Sequence, residues 1–182
     1  NTTGNYNTSV GFQSLVNNST ASNNTAVGKH ALFTNTTGAN NVAVGFNSLK
    51  NQTTGANNVA VGHSASLLNT TGNNNTSMGY FALEKNQTGE QNVAIGTESM
   101  LANTTADTNT AVGYRALFAN TTGSGNVGVG HDALEANTTA ADNTAVGRNA
   151  GYNITTGQSN VCVGVQAGRN LTTGSNNIMI GN

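Results

Sequence analysis

The chain has no proline and no tryptophan, one cysteine, and charge on only 7% of its 182 residues. Each absence excludes something. A lone cysteine allows neither a disulfide framework nor a cysteine-based metal site, and Cys162 stands in a column filled mainly by Ala and Ser, which reads as a small buried side chain. The formal net charge is −1 and the six Lys and Arg are scattered, so the clustered cations that nucleic acid or an anionic membrane would require are missing. No apolar run approaches a membrane span, and there is neither a signal peptide nor an initiator Met. The first and last residues, "NTTG" and "IMIGN", read as cut from inside a longer array. Polarity without charge suits hydrogen-bonded ladders better than an ordinary globule. Disorder is a poor reading too, because a disordered tract has no need of apolar residues at fixed places.

What is present is a period. Asn recurs every 17 residues from Asn7 to Asn177 without insertion or deletion, and Gly follows four places later each time, from Gly11 to Gly181. Thr forms a third invariant column from Thr3 to Thr173. Strict self-similarity of this length is the mark of a solenoid. Residues 1–182 therefore read as a single array.

In the repeat Asn41 to Asn57, "NVAVGFNSLKNQTTGAN", Val42 and Val44 flank Ala43, and these columns are β-branched or aliphatic along the array, which predicts a strand. Gly45 ends it where the backbone must bend. The next two columns vary freely and read as solvent-facing; the following Ala or Ser and Leu, as in Ser48-Leu49, predict a second short strand. The closing "NTTG" supplies turn formers, Asn being tolerant of the left-handed conformation. Stacked parallel coils about 4.8 Å apart would make a rod about 48 Å long, an all-β parallel β-solenoid of about ten coils. Asn41, Gly45, Thr54, Asn92, Gly96 and Thr105, as members of the invariant columns, are read as structural ladders along it. The absence of proline fits, since it would remove a ladder donor.

Substitutions compensate one another. Where the Leu column holds Gly151 and Gly168, Ile154 and Leu171 appear three residues later in a column of Asn and Gln; where it holds Ser66, Leu67 and Leu68 follow. One large aliphatic per coil is the expectation, since an empty space would cost about 2–5 kcal/mol. Adjacent apolar residues also imply that both faces of one wall are crowded, because strand neighbours point opposite ways. That predicts a parallel homo-oligomer, with a monomer of lean, Ala-lined interior as the alternative.

The segments "NTAVG" and "NVAIG" (Asn24 to Gly28, Asn92 to Gly96, Asn109 to Gly113) with their following "xxAL" resemble two groups of fibres. One is the head repeat of trimeric autotransporter adhesins. The other is the "NTAVGYxAL…NTTG" arrays of phage and giant-virus tail-fibre-like proteins, which are closer in period. The resemblance covers the whole chain. It implies a left-handed, homotrimeric parallel β-solenoid serving as a shaft or adhesive head outside a cell or on a virion. End-to-end polymerisation and a surface glycan or receptor as partner are further options for such a rod.

Chemistry finds little footing. Residues 123 to 128, "GSGNVG", satisfy G-x-G-x-x-G, but a dinucleotide site needs a strand before it, a helix after it and an acid about 20 residues on, and here the segment arises in one coil only and straddles a turn and the next strand. His63 and His131 share a column four coils apart, and His30 sits in the next. The carboxylates Glu84, Glu90, Glu98, Asp107, Asp132, Glu135 and Asp142 occupy variable columns and read as outward charges against aggregation. No catalytic, cofactor or metal residues are assigned. Asn35, Asn51, Asn69, Asn86, Asn103, Asn120, Asn137, Asn153 and Asn170 begin Asn-x-Ser/Thr sequons, open to glycosylation or to a purely conformational role.

The most suggestive outward feature is one aromatic in every second coil: Phe12, Phe46, Tyr80 and Tyr114, separated by Lys29, His63 and Thr97. Rings about 9.5 Å apart could stack on sugars or pack against a neighbouring subunit. The expected function is a structural fibre shaft or repetitive adhesive head. The alternative is an ice-binding face built on the paired Thr columns, such as Thr36-Thr37 and Thr121-Thr122, of which only one can line a given face.

Overall fold

Each strand pairs in parallel with the one 17 positions on: Val42 with Val59, Ala43 with Ala60, Val44 with Val61. The computed structural model describes residues 2–181. Eleven three-residue strands, β1 (Thr8–Val10), β2 (Thr25–Val27), β3 (Val42–Val44), β4 (Val59–Val61), β5 (Thr76–Met78), β6 (Val93–Ile95), β7 (Thr110–Val112), β8 (Val127–Val129), β9 (Thr144–Val146), β10 (Val161–Val163) and β11 (Ile178–Ile180), form one sheet in sequence order. There is no helix among the described residues. The chain is a β-solenoid with 17 residues per coil. The middle residue of each strand from β2 to β10 is buried and its neighbours are partly exposed, so the Ala column lines the interior.

Gly45 ends β3 for two reasons that act together. Its φ is 131°, and a Cβ there would sit 2.7 Å from the carbonyl carbon of Gly62 in the next coil. The coils approach too closely for any side chain.

The expected second strand is absent, and a run of turns takes its place. Asn47 and Leu49 are left-handed, with φ of 56° and 47°. Alternation of side chains holds only for extended backbone; here both Ser48 and Leu49 point inward and are fully buried. This removes half of the crowded-wall argument, because Ala and Leu share one interior. A left-handed leucine costs about 1–2 kcal/mol, offset by about 1.5–3 kcal/mol for burying its side chain. Coil-to-coil bonds continue through the turn: Asn47 N–H donates to Lys29 O at 3.0 Å and Leu49 N–H to Ala65 O at 3.0 Å.

The invariant Asn is a clip. Asn41 Nδ2 donates to Gly55 O at 3.0 Å, tying the start of its coil to the end, and Asn41 Oδ1 accepts the N–H of Asn58 at 2.8 Å. The same N–H to Oδ1 bond repeats from Asn7 to Asn177. A second ladder runs through the sequon column, where Asn86 Nδ2 donates to Asn69 Oδ1 at 2.9 Å and Asn103 Nδ2 to Asn86 Oδ1 at 2.8 Å. These side chains are held for their amides; the left-handed Asn residues, such as Asn40 and Asn57, lie just before the clip.

Leu15, Leu32, Leu49, Leu83, Met100, Leu117, Leu134 and Ile154 supply the large interior side chains. Ile154 does fill the space at Gly151, its Cδ1 lying 3.1 Å from where a Cβ would be; at Gly168 the nearest side chains are instead Cys162 and Met179, with Leu171 partly buried against the same cluster. The coil with Ser66 differs from expectation. Leu67 and Leu68 stay half-exposed on the wall, and the interior holds a Ser66–Ser77 hydrogen bond instead. That pair separates two apolar clusters, one ending at Ala65 and the other beginning at Ala82.

Candidate functional site

The outer side of the sheet is an unbroken uncharged surface. Its two outward columns, Thr8 to Ile178 and Val10 to Ile180, hold only Thr, Val, Ile and Met, and several are well exposed, among them Met78, Ile95 and Val163. Past the Gly corner lies the aromatic column, so apolar surface continues around the edge.

Within that column Phe12, Phe46, Tyr80 and Tyr114 are 40–64% exposed. They are joined by residues that the sequence reading treated as spacers. Lys29 Nζ lies 5.9 Å from the Phe12 ring centre and 5.8 Å from that of Phe46. His63 stacks between Phe46 and Tyr80 at 4.9 and 5.2 Å, tilted by 32° and 34°. Tyr114 and His131 repeat the arrangement at 5.0 Å. Phe81 closes edge-on against His63 at 5.4 Å, and His30 meets Phe12, Phe33 and Phe46 at 5.8, 5.4 and 6.4 Å. Lys and His alternating with rings at coil spacing were the signal available in the sequence.

This geometry bears on sugar stacking. A pyranose packs its C–H face on a free ring face, but the faces of Phe46 and Tyr80 are turned along the rod toward Lys29, His63 and Phe81.

The second variable column is half-buried rather than free. His30 lies 3.1 Å from Gln13 Oε1 and 3.3 Å from Asn47 Oδ1. Arg115 donates to Glu135 at 2.7 Å, approaches Glu98 at 3.7 Å and covers the Phe118 ring at 4.0 Å. Asp132 contacts His131 Nδ1 at 3.0 Å. Glu90 accepts from Asn73 Nδ2 at 2.7 Å, and Asp107 accepts the Glu90 N–H at 2.7 Å. Several carboxylates thus hold coils together as well as carrying charge.

Asn41 and Asn92 are buried in the clip ladder, and Gly45 and Gly96, partly exposed, end their strands where the coils leave no room for a Cβ. Thr54 and Thr105 are exposed, and the hydroxyl ladder runs one residue earlier, Thr53 Oγ1 donating to Thr70 O and Thr104 Oγ1 to Thr121 O, both at 3.1 Å. Of the sequons, Asn35, Asn69, Asn86, Asn103, Asn120 and Asn137 are buried in the amide ladder, while Asn51 and Asn153 are intermediate and Asn170 exposed. The "GSGNVG" segment leads into β8, not a helix. Burial raises the pKa of the Cys162 thiol. Among the described residues, no three His, Cys, Asp or Glu come together as a metal would need, and no helix is long and apolar enough to cross a membrane. No protein-family model, curated protein or solved structure matches the chain.

Proposed function

We propose that the chain is a structural rod without catalysis, the shaft or repetitive adhesive head of an extracellular or virion-attached fibre, assembled from parallel copies side by side as a homotrimer. The observation that carries this reading is the uncharged outer face of the eleven-stranded sheet, continued by the ring stripe. Eleven coils at about 4.8 Å by four residues at about 3.3 Å give roughly 700 Å² per copy, close to the ~800 Å² each partner contributes to an ordinary stable interface. Parallel copies in register set like coils at the same height, and a face of small residues without charge permits their close approach. Receptor or glycan recognition, on this reading, belongs to outward columns other than the stacked rings, or to further domains.

Sedimentation of the chain tests it: three times 18.4 kDa, about 55 kDa, is expected, and a folded species of 18.4 kDa removes the side-by-side assembly. The second reading, ice binding, is favoured by one observation, the exposed file of Thr20, Thr37, Thr54, Thr71, Thr88, Thr105 and the Thr residues that continue it. The file is a single residue wide. Thermal hysteresis lost on replacing these Thr by bulky residues would establish that reading over the fibre.

A further inference from the structure

We propose that the contact between copies is pH-reversible and that the histidines of the ring stripe are its titrating groups; this rests on the side-by-side reading above. The chain has three histidines, and all three, His30, His63 and His131, fall in two adjacent columns of the seventeen, in ring contacts beside the uncharged face. The aromatic column also holds Lys29 and Arg148 and none of the seven carboxylates.

A neutral imidazole behaves here as another ring and loses little on dehydration. An imidazolium keeps its attraction to the neighbouring rings in the isolated chain, but covering it with a second copy removes its hydration, which is costly for an unpaired charge. Parallel copies in register add repulsion, since equivalent cations lie at the same height around the shared axis. Imidazole changes charge between about pH 5 and 8, so acid separates the copies.

The surroundings of the three differ. His63 is met by Phe46, Tyr80 and Phe81, whose only titratable group is the Tyr80 phenol, so its positive charge has no counter-ion in contact. His131 has Asp132 at 3.0 Å and Tyr114 stacked on it, and Asp132 compensates its charge. His30 is met by Gln13, Asn47, Phe12, Phe33 and Phe46, with Lys29 on two of the same rings. His63 is therefore the principal group.

The test is sedimentation velocity of the chain at pH 7.5 and pH 5.0, with circular dichroism at both, for the parent, His63→Gln and the triple variant His30→Gln/His63→Gln/His131→Gln. The expected result is an oligomer at pH 7.5 that weakens at pH 5.0 with its β signal intact. The loss should be on the order of tenfold in affinity for each imidazole whose proton the contact disfavours by one pK unit. His63→Gln should retain most of its association at pH 5.0 and the triple variant all of it. A parent that is already monomeric at pH 7.5 overturns the side-by-side reading itself. An oligomer indifferent to pH overturns the pH proposal alone. Dissociation at pH 5.0 that persists in the triple variant, or is accompanied by loss of the β signal, overturns the assignment to the histidines.

Discussion

Across the interior of the rod, the Ser66 hydroxyl donates to the Ser77 hydroxyl at 2.9 Å, both side chains being almost fully buried. It occupies the layer where other coils place a leucine, and the apolar core is divided there into two clusters. The pair is satisfied but supplies little apolar contact.

Replacing both, as Ser66→Leu/Ser77→Ala, should rejoin the clusters and stabilise the fold by about 1–3 kcal/mol, since Ser66 already has the left-handed φ of the Leu column. Ser77→Ala alone should destabilise by about 1–3 kcal/mol, leaving the buried Ser66 hydroxyl without its partner. Urea unfolding gives both numbers. Amide exchange should show unequal protection on the two sides in the parent and more nearly equal protection in the double variant.

The last coils offer a reciprocal test. A Cβ at Gly151 would lie 2.9 Å from Leu134 Cδ2 and 3.1 Å from Ile154 Cδ1, so Gly151→Leu alone should cost about 1–3 kcal/mol through overpacking. Gly151→Leu/Ile154→Asn should recover most of that loss. The new Asn would also serve Asn137 Oδ1, which is buried without a partner where the amide ladder meets Ile154. Thermal unfolding of the two singles and the double measures the coupling.

Invariant columns should differ sharply in energetic weight. Asn92→Ala removes the acceptor for Asn109 N–H and the clip to Ala106 O, and should cost at least about 2 kcal/mol. Gly96→Ala should be comparably severe, because φ is 130° and the methyl would meet the Gly113 carbonyl carbon at 2.7 Å. Thr105→Ala, at an exposed site, should stay within about 0.5 kcal/mol. A large loss at Thr105 would show that its column is structural after all.

Cys162 should resist thiol reagents in the native chain and react once urea unfolds it, because it is fully buried and burial pushes its pKa above that of an ordinary thiol. The unfolded chain gives up this proton first, so the contribution to stability is intact below the unfolded pKa and is lost as pH rises through the folded one. Cys162→Ala should flatten that alkaline decline in denaturation midpoints.

The coil length, the strand at Val42–Val44 and the Gly corner were readable because each is a local demand repeated eleven times: β-branched alternation, then a residue that must lack a Cβ. The exchange of Leu for Gly151 with Ile154 was equally legible, as volume conserved across two columns. Ser48-Leu49 reads as a strand because Ala-Leu and Ser-Leu pairs fit one by propensity, whereas left-handed φ at Asn47 and Leu49 breaks the extended backbone while their N–H groups still bond to neighbouring coils. The ring stripe was half seen: the aromatics stood out, but the stacking of Lys29 and His63 between them depends on rotamers chosen along the rod axis.

By itself the sequence determined the period, the parallel stacking and which columns cannot vary, since these follow from backbone geometry repeated at fixed spacing. Only the tertiary structure decided what each invariant residue does. Asn41 became a clip, Asn69 a rung and Thr54 a solvent-facing side chain, because partners 14 or 17 residues away come within hydrogen-bond reach only when the coils close and stack.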